Sequence, residues 1–596
     1  SKILPSHLDS NCLLQDLISE GILMCYESRN GNRIVDFNFE IVGDYICAYT
    51  LLKYDFLQFK GAMYSTGVDE AVAVLMPLVV GDEIFDCTST DMDQSYKEYL
   101  FLETLDQRFS LSESAVKKIE WLRMNEIDTF YDILPKVILF KECKDIVNSL
   151  NAVLKSMSMI DRDTSYGFHY TQNIPDINSS SIMTFAKWAV SISRNSAIRL
   201  SNNGVFQAAT LLCWTFSIPY NKLRNYATKA VINLLRDKPE VLIELVELFD
   251  DVNDPYIQQR LYAVVHGCIY RGSCVESAKL AKLIYDKVFN TDNVRPDILL
   301  RDYARCASDR ITQEKHVDGI SKDAIKPPYN SVFSIDMCPD RNTIESKYRL
   351  EYNKSIPNEI VISQNSILDS METEYSNGTC GYGDFGWGQD APLLRNFAVQ
   401  LIFEKYGYDA KRYAPHDCHC RRGRGDSDKI ERYGKKMQWI SMYEVMGLLA
   451  DNFRMESDVC DDKDIWYQGT WDPHVRNIDT TNSFYFYGSE EETRCEKLEW
   501  LEKYKMPFKI KKPDLWLTGK DGLSNDSIKQ TIEVVDEEGH EWTVLYGDNT
   551  FTDEDNVISI NDEDNGLWVF AQAYVCKICN QKTLRKAIYK KGTQGR

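Results

Sequence analysis

The sequence predicts a mainly α-helical chain of short, stacked helices, opened by a helix–hairpin–helix segment and closed by a β-rich part. Three observations carry this. Apolar residues recur at three- and four-residue steps through Leu223, Ala227, Ala230, Val231, Leu234 and Leu235, marking one face of a helix. Prolines at 239 and 255 sit where a first helical turn is expected, each followed by a new apolar face. Near the start, Asn30-Gly31 separates two strand-like runs, the strongest short-range hairpin signal.

In chain order, the stretch Asn11–Leu23 reads as a helix, followed by a strand, a polar turn at Arg29–Asn32 and a second strand, Arg33–Glu40. A further helix, Ile41–Leu52, follows. Helix then hairpin is the tail of a winged helix, so residues 1–110 are expected to hold the end of such a module with bridging helices. On that reading the chain opens inside a domain, and an upstream part is expected. Residues 111–325 read as a helical-repeat solenoid of HEAT or TPR type, because short amphipathic helices bury their faces only by stacking. After Pro239 the next face is Leu242, Leu245, Val246 and Phe249; after Asp254-Pro255 it is Ile257, Leu261, Val264, Val265 and Cys268. The pattern changes at Ile325-Lys326-Pro327-Pro328-Tyr329, where extended backbone is expected before each proline. Residues 326–480 read as a mixed α/β segment and residues 481–596 as β-rich, with Thr531–Val535 and Glu541–Tyr546 flanking a loop at Asp536–His540.

Composition narrows the classes. The 596 residues suggest three or four domains and a large core. A net charge of −21 argues against nucleic-acid binding over the whole surface. No apolar run approaches the roughly 20 residues of a membrane span. The 17 cysteines are scattered through helical text, as reduced thiols packed like small apolar groups would be, which points to the cytoplasm.

Several blocks, in order, resemble one family. FNFEIVGDYICAYTLL (residues 37–52) is similar to the segment that follows the nucleotide-binding and winged-helix modules of antiviral STAND ATPases, the Avs or AVAST proteins of phage defence. The resemblance recurs in Leu223–Leu235, Val252–Tyr262, Asp297–Arg305, Ile430–Phe453 and Tyr467–Asp479. It implies a sensor region. The parent would join an effector, often a nuclease, to an ATPase using ATP and Mg. The sensor would bind a phage protein such as terminase or portal, and binding would favour a homo-oligomer, typically a tetramer. No G-x-x-x-x-G-K-[ST] phosphate loop occurs in this chain, so no cofactor is expected within it.

The candidate contact residues lie in two segments. Between Lys411 and Lys436 there are nine Lys and Arg against four acids. Lys411, Arg412, Arg421, Arg422, Arg424, Lys435 and Lys436 could meet carboxylates or phosphates of a partner. They could equally form a solvated loop or neutralise acidic neighbours. The helix that follows, Gly434–Phe453, carries Trp439, Tyr443, Met446, Leu449 and Phe453 at core spacing. Gly381–Gly388 (GYGDFGWG) matches G-x-G-x-x-G formally, but its flanks are polar and turn-like. It reads as a surface loop offering Tyr382, Phe385 and Trp387 to a partner. His416, Cys418, His419 and Cys420 have zinc-binding side chains at poor spacing, and Cys576 with Cys579 lacks a second pair, so no metal site is expected. No catalytic set emerges. The rivals to a sensor are a nucleic-acid-binding module, a zinc or nucleotide enzyme, and a generic helical-repeat scaffold.

Overall fold

The computed structural model describes residues 2–3, 12–27, 33–54, 66–88, 92–173, 176–314, 316–352, 355–373, 391–418, 420, 430–454, 466–467 and 478–481. It also describes strand residues 533–535, 541–543, 546–551 and 567–572. Two compact units emerge: Ser1–Ser457 with Asp462–Tyr485, and Asp458–Asp461 with Phe486–Arg596.

The first unit is mainly helical. It opens with β1 (Lys2–Ile3), α1 (Cys12–Ser19), β2 (Leu23–Glu27) and β3 (Arg33–Phe37). The strands form an antiparallel sheet in the order β1-β3-β2, with Cys25 opposite Val35. Gly21, at φ 68°, makes the turn from α1 into β2, where its carbonyl accepts from Asn38 Nδ2. The expected helix–hairpin–helix order is thus present, completed by α2 (Glu40–Tyr54). Next come α3 (Thr66–Val79), α4 (Gln94–Glu103), α5 (Glu113–Asn125), α6 (Ile127–Val137), α7 (Lys144–Ser156) and α8 (Met159–Arg162). Two π-helical turns, Asp163–Gly167 and His169–Asn173, follow.

The centre of the unit runs through α9 (Ser181–Ser191), α10 (Arg194–Arg199), α11 (Asn202–Trp214), α12 (Asn221–Leu235), α13 (Pro239–Phe249), α14 (Pro255–Arg271), α15 (Ala278–Ile284) and α16 (Ile298–Glu314). Its starts are those the sequence marks. Pro239 and Pro255 occupy first-turn positions, and Asp254 caps α14 by accepting from Tyr256 N. Serines 180, 193, 201 and 277 cap α9, α10, α11 and α15 likewise. Helices α9, α12, α14 and α16 pack side by side in one row, and α11, α13 and α15 in a second. Both rows share a large core with Leu223, Leu234, Leu245, Leu261 and Val265 buried.

A second core is built by α17 (Arg341–Tyr348), α18 (Asn358–Thr373), α19 (Ala391–Gln400), α20 (Ala410–Asp417) and α21 (Tyr433–Asn452), with Met159, Tyr256, Ile298 and Leu299 entering it from α8, α14 and α16. The described residues between 326 and 454 contain no strand, and the rest of the expected mixed α/β segment lies largely outside the described residues. In α18 the residues 361, 363, 365 and 367 are all buried, a strand-like alternation produced by a helix enclosed on several sides. Helix α21 is likewise buried on nearly every face, which explains why its apolar residues do not form one stripe. The second unit shows two antiparallel pairings, β4 (Glu533–Val535) with β5 (Glu541–Thr543), and β6 (Tyr546–Phe551) with β7 (Leu567–Gln572). No helix among the described residues is long and apolar enough to cross a membrane.

Candidate partner-binding face

The basic segment divides once folded. Lys411 and Arg412 begin α20 behind the cap Asp409, and both are exposed. Arg412 reaches back to Asp161 at 2.8 Å and to Thr164 Oγ1 at 2.6 Å. Lys435 pairs with Glu431 at 3.0 Å, one helical turn away. These three remain near the surface. Lys436 does not: its side chain is fully buried, with Nζ 2.9 Å from Asp163 and 2.8 Å from Asp254. Its assignment as a contact residue is therefore corrected to an internal counter-charge. Tyr413 donates to the other oxygen of Asp163 at 3.1 Å, and buried Arg162 lies 3.9 Å from Asp254. Burial still pushes the Asp163 carboxyl up to about 6, against the pull of Lys436. Arg421, Arg422, Arg424, Tyr382, Phe385 and Trp387 lie outside the described residues.

The His416–Cys420 segment builds a helix start. Asp417 accepts from Tyr433 N at 2.7 Å, Gly434 N at 3.1 Å and the Tyr408 hydroxyl at 3.0 Å, capping α21 from a distance. His416 is buried against Phe168, and Cys420 lies 3.5 Å from its ring. Burial pushes the Cys420 thiol up to about 12. Among the described residues no three His, Cys, Asp or Glu converge as metal ligands. His419, Cys576 and Cys579 are outside them.

A buried cationic seam lies where α12 meets α14. Arg224 and Lys229 of α12, with Arg260 and Arg271 of α14, share this seam. Arg224 is 3 % exposed and its guanidinium lies over the Tyr256 ring at 3.8 Å, yet its Nε and Nη2 have no hydrogen-bond partner among the described residues. Among the described residues Arg260 meets neutral acceptors alone, Thr228 Oγ1 at 3.4 Å and Asn221 Oδ1 at 3.3 Å. Burial, with Arg224 nearby, lowers Arg260 to about 9. Burial also lowers Lys229 to about 8, with Asp479 opposing the shift and Arg271 adding to it.

Across this seam lies the short tract 478–481. Ile478 enters the first core and its carbonyl accepts from Tyr303 Oη at 2.8 Å. Thr480 Oγ1 is 2.6 Å from His266 Nδ1. A Cβ on Gly267 would stand 3.0 Å from the Thr480 carbonyl oxygen and 2.4 Å from Ile232 Cδ1, so glycine is what lets the tract lie close. The sequence pattern marks only the apolar face of α12, whereas Lys222, Asn225, Lys229 and Asn233 on its polar side are buried as well. The signal was available: polar residues on one side and apolar residues on the other, in a helix that must pack on both. Compared with family profiles, curated proteins and solved structures, the chain matches none.

Proposed function

We propose that this chain is the sensor region of an antiviral STAND ATPase acting in the bacterial cytoplasm. On this reading the two helical rows are a HEAT- or TPR-like solenoid that binds a phage structural or packaging protein such as terminase or portal. Binding shifts the parent toward an active homo-oligomer, a tetramer, by the partner's preference for that state. ATP and Mg belong to the parent's upstream ATPase, and the effector lies further upstream. The observation that carries the reading is the order of elements: helix, hairpin and helix leading into two rows of stacked helices.

The nucleic-acid alternative is less well supported. The seam cations are nearly enclosed, whereas phosphate backbones are held by exposed Lys and Arg, and the chain is strongly acidic. Co-purification of tagged chain from phage-infected cells tests the proposal. One phage protein recovered in near-equal amount is expected. Recovery of nucleic acid alone, lost steeply as salt is raised, would establish the alternative instead.

A further inference from the structure

Helix α12 opens at Tyr220 with no side-chain cap and no acid in its first turn, so its own residues do not offset its positive end. Asn221, Arg224 and Thr228 follow one another at helical spacing along the face of α12 that meets α14. Arg260 crosses that face from α14, its guanidinium bonded to Asn221 and Thr228 on either side of Arg224. Two guanidinium groups, on residues 3 % and 2 % exposed, are thus brought together where a helix already concentrates positive charge. Arg224 Nε and Nη2 and Arg260 Nε have no hydrogen-bond partner among the described residues. Carboxylates that bear on the enclosing Tyr256 and Tyr443 rings are engaged elsewhere. Asp254 pairs with Lys436 at 2.8 Å and Glu431 with Lys435 at 3.0 Å. Asp297 accepts from Gln259 Nε2 at 2.7 Å and from Leu300 N at 2.9 Å.

We propose that Arg224 and Arg260 hold a small inorganic anion of halide size, chloride or its like, at the N-terminus of α12. A water molecule would satisfy bare N–H groups yet leave two enclosed like charges side by side, whereas an anion meets both demands. The arginines do not escape by losing a proton. Burial, with Arg224 beside it, lowers Arg260 to about 9, which still leaves it cationic at neutral pH. Size follows from enclosure. The Arg224 guanidinium lies 3.8 Å from the centre of the Tyr256 ring, and neither arginine offers the open face that a phosphate ester or a polypeptide needs. A monatomic ion asks only for N–H groups around it. Bound there, it would fasten α12 to α14, a role independent of what the helical rows recognise.

The test denatures the full chain with urea in sodium chloride and in sodium gluconate at equal ionic strength, gluconate being too large for the site. We expect the folded-to-unfolded ratio to be about tenfold higher in about 0.2 M chloride, and the gain to saturate, as linkage requires of one site with a Kd about a tenth of that concentration. Bromide should act as chloride does. Arg224→Met and Arg260→Met should each abolish the difference between the salts, while Lys117→Met, at an exposed ion pair, keeps it. Should both arginine variants fail to fold, the parent chain decides: crystals grown in bromide should show anomalous scattering beside Arg224 and Arg260. Equal stability in the two salts, a gain that never saturates, a difference that survives both arginine substitutions, or no bromide at the two arginines overturns the proposal. Bromide there without any gain in stability from chloride marks an adventitious ion only, and overturns it as well.

Discussion

Replacing Lys436 by Met removes the cation that Asp163 and Asp254 share, leaving Arg162 against two enclosed carboxylates. Breaking a buried pair from one side costs about 3–5 kcal/mol, so chemical denaturation should show a loss of that order. Lys436→Met combined with Asp163→Asn should recover part of it, since neither charge is then stranded. Sequence placed Lys436 and Lys435 together in one basic segment, yet one is enclosed and the other lies at the surface. Charge runs say nothing about which neighbour faces inward; that is decided by carboxylates that are 273 and 182 residues away. Lys229 gives a pH signature. Its folded pKa of about 8 lies below the unfolded value of about 10.4, so between these the unfolded chain holds the extra proton. Its contribution to stability therefore rises with pH across that window. Melting curves at pH 7.5 and 10 should show a smaller pH-dependent gain, or a larger loss, in Lys229→Met than in the parent.

Helices of the central rows were legible because their signals are local: a proline at the start, a capping Asp or Ser, and an apolar face repeating every three or four residues. Leu261 is the clearest case, fully buried on the face the spacing marks. Leu261→Asp should destabilise the stack by several kcal/mol, on the scale of burying an unpaired charge, with loss of helical circular dichroism at lower denaturant. The helices around α21 were harder to read, because an element enclosed on all sides loses its polar stripe and with it the period. Close approach there is set by single glycines. A Cβ on Gly447 would lie 2.1 Å from the Pro296 carbonyl, a backbone atom with little room to retreat. Gly447→Ala should therefore cost roughly 1–3 kcal/mol despite the better helix propensity of alanine, and denaturant midpoints will show it.

At the scale of the whole molecule, the chain carries no phosphate loop, so purified protein should turn over ATP no faster than a blank after gel filtration. Activity that tracks the protein peak would defeat the sensor reading. The two helical cores also differ in how they are joined. Besides Lys436, the join holds Arg301, which spans from α16 to Asp451 at 2.7 Å and to the Gly447 carbonyl at 2.8 Å in α21. Apolar residues of the first-core helices, Tyr256, Ile298 and Leu299, also pack into the second core, so the boundary is part ionic and part hydrocarbon. Water that enters the ionic part rehydrates the charges and offsets some of what separation costs there, whereas water at the apolar part gains nothing. Hydrogen exchange should then resolve two opening energies, a lower one for the amides of α19–α21 and the global one for α12 and α14. Where such a molecule yields first is set by how much of the seam between its cores is charge and how much is hydrocarbon.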